Sequence, residues 1–195
     1  PDSFDAHLLL ARSYLRNDES AAALASLERA HELAPDDWQV RAWLGAALSE
    51  TGDRRRAYAL MLGAARERPG SRPAVSLAVR LALEFDERRS AIDLMQRRLE
   101  VEPENGARQF RMGLGWLLST SREDAIRDGA QALDVVSDLG DSQDVLEVRA
   151  AALAELGRFD DALVVIDAAI AEGGPRAAGL RQQRVAYGQR RAWRE

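Results

Sequence analysis

The sequence predicts an all-α chain of stacked helical hairpins, and three observations predict it. Four of its six prolines, Pro1, Pro35, Pro69 and Pro103, stand 34 residues apart. Two residues after each comes a helix-capping side chain: Ser3, Asp37, Ser71 and Asn105. Small residues return in fixed columns between these marks, first Ala11, Gly45 and Gly113, with Val79 in the third unit, then Ala23, Ala57 and Ala91, with Ala125 the loosest match. Proline cannot continue a helix, and Ser, Asp or Asn accepts hydrogen bonds from the free amides of a starting one. Small residues at a crossing let two helices approach to about 8–10 Å.

Each unit is therefore helix, turn, helix, linker. In the first, Leu10, Tyr14, Leu24 and Leu27 give apolar spacing of helical period on both sides of the turn NDES at 17–20. The second turns at TGDR, 51–54, and the third at FDER, 85–88. The fourth has a first helix over about 106–119, but STSREDAIRDG is too long for the same turn. Either Ala125 opens its second helix or that helix starts near Asp128 after an expanded turn, and the second arrangement is preferred. A fifth unit reads RAAALAELGRFDDALVVIDAAI over 149–170, with Ser142 as capper. Residues 175–192 form a last helix with Ala177, Leu180 and Tyr187 on one side and Arg and Gln on the other.

These columns resemble the tetratricopeptide repeat, W-x2-LG-x2-Y, then A-x3-F, A and P. Leu10, Ala11, Tyr14, Ala23, Leu27, Ala30 and Pro35 carry the match in unit one. Leu44, Gly45, Leu48, Gly52, Ala57, Met61, Ala64 and Pro69 carry it in unit two. Ala91 and Pro103 hold in unit three, where Val79 and Arg98 replace small residues and predict looser packing. Ala150, Leu153, Gly157, Ala162, Ile166 and Ala169 carry it in unit five. The resemblance implies a right-handed α-α superhelix of about five repeats plus a C-terminal capping helix, a single array over 1–195. Its units are about 3–36, 37–70, 71–104, 105–141 with an irregular loop at 119–129, and 142–174, followed by the capping helix and basic tail 175–195. Trp116, Leu118, Arg127, Asp128, Gly129, Ala132, Tyr187, Trp193, Arg194 and Glu195 further resemble the C-terminal ends of large bacterial proteins of this kind, which would put Glu195 near a natural terminus. Pro1 occupies a repeat-closing column, so further repeats or another domain are expected before it.

Composition narrows the function. Hydrophobic residues make up 46% and charged residues 30%, enough for a packed core. No apolar run reaches the roughly 18–20 residues of a membrane span, so no membrane insertion is expected. The net charge of −5 argues against a nucleic-acid surface. All 27 basic residues are arginine and cysteine is absent. Residues 175–195 hold six arginines and one glutamate, against a body of about −10. His7 and His31 lie on different helices and lack the companions of a metal site. The GLG at 113–115 lacks the strand-turn-helix setting of a phosphate loop, and no nucleophile motif is present. No catalytic residue, cofactor or metal is expected, and the chain is read as not an enzyme. The compartment stays open between bacterial cytoplasm and periplasm.

In the resembled family the first helix of each unit lines a groove for peptides or helices. By register the groove columns are Asp5, Leu8, Arg12 and Arg16; Gln39, Ala42, Ala46, Ser49 and Glu50; Ser76, Arg80, Leu83 and Glu84; Ala107, Phe110, Leu114 and Leu117; Asp144, Glu147, Ala151 and Glu155. Arg12, Arg16 and Arg80 would hold carboxylates, while Phe110, Leu114 and Leu117 would form an apolar shelf or else pack on the odd loop or last helix. A chaperone-tail receptor is disfavoured, because the chain has no lysine and Leu8, Trp43 and Leu77 stand where polar residues are needed. Arg54–Arg56 and Arg88–Arg89 share columns and are either a basic ridge for an acidic partner or solvent-exposed with acid partners inside their own repeats. The expected partner is a protein or peptide segment. An upstream domain of the same chain, or a second copy stacked on the end, are the other partners considered.

Overall fold

A computed structural model describes residues 3–102 and 107–195, and the Pro1, Pro103 and Asn105 columns lie outside them. Among the described residues there are eleven α-helices, one 3-10 turn and no strand. They pack as two compact units, 1–101 and 102–195. The first holds three hairpins: α1 (Phe4–Arg16) with α2 (Ser20–Leu33), α3 (Trp38–Thr51) with α4 (Arg54–Glu67), and α5 (Arg72–Glu84) with α6 (Arg88–Val101). The second holds α7 (Arg108–Thr120), α8 (Gly129–Val135), α9 (Gln143–Glu155), α10 (Phe159–Ala171) and α11 (Ala177–Gly188).

Helix starts follow the capping columns only in part. The Ser3 hydroxyl accepts from the Ala6 amide at 3.3 Å, and the Asp37 carboxylate from Gln39 and Val40 at 2.8 and 3.0 Å. Ser71 and Ser142 hold the N-cap position without that bond. Pro73, at the second helical position, removes one of the two amides that Ser71 could reach. The Ser142 hydroxyl is engaged by Asp144 and Arg108 instead. Asp128 caps α8, accepting from Gln131 at 2.9 Å, so the fourth hairpin has the expanded turn.

Four of the hairpin turns pass through the left-handed region. Asp18, Gly52, Asp86 and Gly157 lie there, with φ of 59, 107, 62 and 74°. After Asp18, Asp86 and Gly157 the next amide bonds back to the carbonyl five residues earlier: Glu19 to Tyr14, Glu87 to Ala82, Arg158 to Leu153. That bond closes a helix in a Schellman turn, and Asp tolerates the left-handed state better than most residues.

The small columns sit where helices cross. Ala11, Ala23, Ala57, Ala91, Ala150 and Ala162 are wholly buried. A Cβ at Gly45 would lie 2.8 Å from Met61 Cγ and 3.3 Å from the Ala57 carbonyl. In the fourth hairpin that place belongs to Gly115 and not to the expected Gly113: its Cβ would meet Val148 at 2.9 Å and the Ala132 carbonyl at 3.5 Å. The strict 34-residue step therefore slips by two before α7. Ala125 is exposed in the 3-10 turn Asp124–Ile126, and wholly buried Ala132 is the crossing partner. Arg98, expected to loosen unit three, is itself buried in α6.

Arginines tie hairpins to their neighbours. Arg56 makes a two-pronged contact with Glu28 at 2.6 Å, Arg54 pairs with Glu84 at 2.9 Å, and Arg55 lies over the Phe85 ring. Arg88 pairs with Asp86. The 54–56 and 88 columns are thus engaged and no free ridge is formed there, but only Asp86 is a partner within the same repeat; Glu28, Glu84 and Phe85 belong to neighbouring ones.

Open space surrounds Gly157, so only its backbone sets the cost of a side chain. Gly157→Ala is expected to lower stability by about 1–2 kcal/mol. Asp86→Gly, in the same turn column, is expected to leave stability unchanged or raise it by up to about 1 kcal/mol. Urea unfolding of both variants checks the opposite signs.

Candidate functional site

The two-residue slip decides which side chains of the second unit face outward from its first helices. Counting from the crossing glycine, Phe110, Leu114 and Leu118 take the buried stripe that Val40, Leu44 and Leu48 occupy in α3. Phe110 and Leu114 are therefore core residues, 2% and 1% exposed, and no apolar shelf forms; Leu117 is half-buried. The open column of α7 holds Met112 and Trp116, both half-buried, which strict counting missed; Thr120, one turn on, is buried. The doubled glycine in GLGW was the available signal, since either glycine could have marked the crossing.

Met112, Gly113 and Trp116 of α7 line a cavity of about 550 Å³ with Asp144, Glu147 and Val148 of α9. Arg176, Gly179 and Gln183 close the α11 side, and Trp193 and Glu195 the C-terminal end. Asp144 and Glu147, read from register as groove residues, are both here. Gln183, which falls on the polar side of the last helix by sequence, is buried.

Buried polar groups at the cavity wall satisfy one another in a chain. Glu147 is only 8% exposed. Its Oε1 accepts from Gln183 Nε2 at 2.6 Å, and its Oε2 lies 3.1 Å from the Arg176 guanidinium. The buried Tyr187 hydroxyl donates to Gln183 Oε1 at 3.3 Å. Burial first, and then the Glu147 charge, push the Tyr187 phenol above its ordinary value, so it stays a neutral donor. For Asp144, burial works to raise the carboxyl. The Ser142 hydroxyl and Arg108, whose guanidinium is 3.1 Å away, outweigh it and hold the group below its usual range.

The residues after α11 turn back onto the same face. Arg190 adopts φ 53°, and the Arg191 amide bonds to the Ala186 carbonyl at 2.9 Å, repeating the hairpin turn. Trp193 then packs on the α9–α10–α11 core. The Arg194 guanidinium lies 2.6 Å from Glu155 Oε2. The Glu195 amide donates to the Thr120 carbonyl at 2.9 Å, and its carboxylate accepts from the Trp116 indole. Arg127 reaches Glu155 Oε1 at 2.9 Å and the Ser121 carbonyl at 3.0 Å. The Trp-Arg-Glu tail, outside any helix, is thus a strap bound to the first-helix face, and Glu155 is shared between it and the expanded turn.

The first unit has a face of its own. Arg12, Arg16, Gln39 and Arg80 are exposed, and Leu8, Ala46 and Ser76 are half-buried. Arg12 stands over Trp43, 5.8 Å from the ring centroid. Glu50 accepts from the Ser20 hydroxyl of α2, and Glu84 pairs with Arg54 of α4, so both are drawn toward the second helices. Among the described residues no group of three or more His, Cys, Asp or Glu could hold a metal ion, and no helix is long and apolar enough to cross a membrane.

No family model matches the chain, and no curated protein matches it by sequence. Solved structures do. A tetratricopeptide repeat protein from Parabacteroides merdae is 16% identical, with a TM-score of 0.69 over 97% of this chain and 74% of that one. The MamA protein is 14% identical, with a TM-score of 0.65 over 90% of this chain and 94% of that one. TTC0263, a thermophilic TPR protein of Thermus thermophilus, is 17% identical, with a TM-score of 0.51 over 96% and 98%. At these identities the likeness is one of fold: the chain has the helical-repeat fold seen in these tetratricopeptide repeat structures.

Two outcomes test this geometry. Glu155→Gln should cost about 1–3 kcal/mol, because two guanidinium groups lose a charged acceptor. Amide exchange at residues 193–195 should rise with it, which a purely local effect on the turn would not produce. Asp138 beside Arg111, Asp144, and Asp167 beside Arg184 all have depressed folded-state values. Their stabilisation is present above the unfolded carboxylate value of about 3.9 and is lost as pH falls through the folded one. Thermal midpoints should be flat from about pH 7 to 5 and fall below about pH 4, and Arg111→Ala should flatten that fall.

Proposed function

We propose that the chain is a non-catalytic protein-interaction scaffold that binds an extended segment of a partner protein on the first-helix faces of its repeats. The strap carries this reading: a non-helical Trp-Arg-Glu segment already lies on the first-helix face of the second unit, held by a backbone hydrogen bond, an ion pair and an indole donor. Of the lining beside the strap, Trp116, Trp193, Met112 and Arg176 are the residue types enriched at contact surfaces. In the first unit Arg12, Arg16 and Arg80 offer guanidinium groups to carboxylates of a bound segment, and Trp43 beside Arg12 offers an aromatic platform. Reading both units as parts of one repeat array belongs to this proposal, as does the absence of a nucleic-acid partner.

A second reading concerns the other end. Leu9, Leu10 and Leu33 of α1 and α2 are exposed, Leu9 by 65%. Such apolar side chains favour a further surface stacked there, from a preceding repeat, an upstream domain for which this array is the docking part, or a second copy. Light scattering over a concentration series tests the copy, and a constant monomer mass removes it.

Peptides selected from a random display library, mapped by amide chemical shifts, test the main reading. Shifts are expected along α1, α3, α5, α7 and α9, with the Trp43 or Trp116 indole among them. For peptides on the first unit, Arg12→Glu with Arg80→Glu should weaken binding by roughly tenfold or more. Shifts confined to α2, α4, α6 and α10 would overturn it.

A further inference from the structure

The cavity beside the strap has a chemistry of its own. Three carboxylates line it, Asp144, Glu147 and Glu195, with one guanidinium, Arg176, and two indoles, Trp116 and Trp193, on the wall; Asp144 is already paired from outside the lining by Arg108, which leaves Glu147 and Glu195 to favour a cation. The groups differ in how firmly they are held. Glu147 is buried and fixed by Gln183, whereas the Arg176 side chain opposite it is 56% exposed. A buried carboxylate is costly without a cation, while an exposed arginine side chain returns to water at little cost. The pairing is therefore built to exchange: Arg176 can leave only if another cation takes its place. The strap shows which cation the face accepts, since Arg194 sits on Glu155 of the same helix. Glu147 and Glu155 are eight residues apart on α9, about 12 Å along its axis, a span that three or four extended residues cover.

Resting on the reading of this face as a contact surface, we infer that the cavity is a subsite for the arginine guanidinium of an extended, basic segment of a partner protein, which displaces Arg176 from Glu147. Charge complementarity selects a cation, and the indole faces reward one that is weakly hydrated and planar. The guanidinium fork donates to both Glu147 oxygens, which a lysine ammonium matches less well. The subsite is the opposite of a carboxylate clamp.

N-acetyl-arginine amide is the probe, followed through the four tryptophan indole N–H signals. It should shift Trp116 and Trp193 saturably and leave Trp38 and Trp43 in place. N-acetyl-citrulline amide, of the same shape without the charge, should bind at least about tenfold more weakly, and the lysine analogue should fall between. Glu147→Gln should weaken the arginine probe by about tenfold or more. Arg176→Ala should strengthen it several-fold, because the competing guanidinium is gone; this variant alters an exposed side chain and decides the matter if Glu147→Gln fails to fold. Equal binding of citrulline, no saturable shift at Trp116, or weaker binding in Arg176→Ala would each overturn the inference. Library peptides that bind the first-helix faces while the arginine probe leaves Trp116 unmoved would overturn this inference alone and leave the broader reading standing.

Discussion

The close crossing of the two helices in each hairpin is the constraint on which the rest depends. At Gly45 and Gly115 even a methyl group would come within 3.0 Å of a neighbour, and the alanines at matching crossings are wholly buried. Because helices meet there at the distance set by their backbones, the remaining columns have no freedom. A side chain one turn away is core, and a side chain on the next column faces out. The left-handed turn at Asp18, Gly52, Asp86 and Gly157 works with the crossing. It fixes how far the second helix starts from the end of the first, so the same small column comes round again.

Much of this was legible because it is periodic. Spacing alone assigns the alanines at 11, 23, 57 and 91 to crossings, and all four are wholly buried. Asp144, Glu147 and Glu155 were placed on the outward column of the fifth unit by the same counting, and all three belong to the cavity or the strap network. Spacing failed where the chain changed length. Two extra residues before α7 moved the outward column from Phe110 and Leu114 to Met112 and Trp116, and a longer turn moved the crossing partner from Ala125 to Ala132. A count cannot register an insertion whose flanking residues are all plausible helix formers, and GLG offered two equivalent crossing points. Gln183 was misplaced for another reason. A glutamine reads as surface unless a buried carboxylate needs its amide, and Glu147 lies 36 residues earlier in the sequence.

Electrostatics in this chain does local joining. Arg56 with Glu28 and Arg54 with Glu84 connect successive hairpins, and Arg108 with Asp144 connects α7 to α9. Each pair is partly exposed and worth little alone. Around Glu155 the situation differs, because that carboxylate is 16% exposed and serves two guanidiniums from segments far apart in the chain. The all-arginine composition suits such sharing, since each guanidinium presents several donors at once.

The return of the tail to α7 has a kinetic meaning. In the first unit the helix packing joins neighbours along the chain, so folding can begin at any hairpin and the ends can open one at a time, as in other repeat proteins. The indole of Trp116 and the carboxylate of Glu195 meet across 79 residues of sequence. That closure ties the outermost helix to the first, so the second unit has an appreciable loop entropy to surmount before its last contacts form. The first unit therefore opens one hairpin at a time, and the second opens like a clasped ring, all together or not at all.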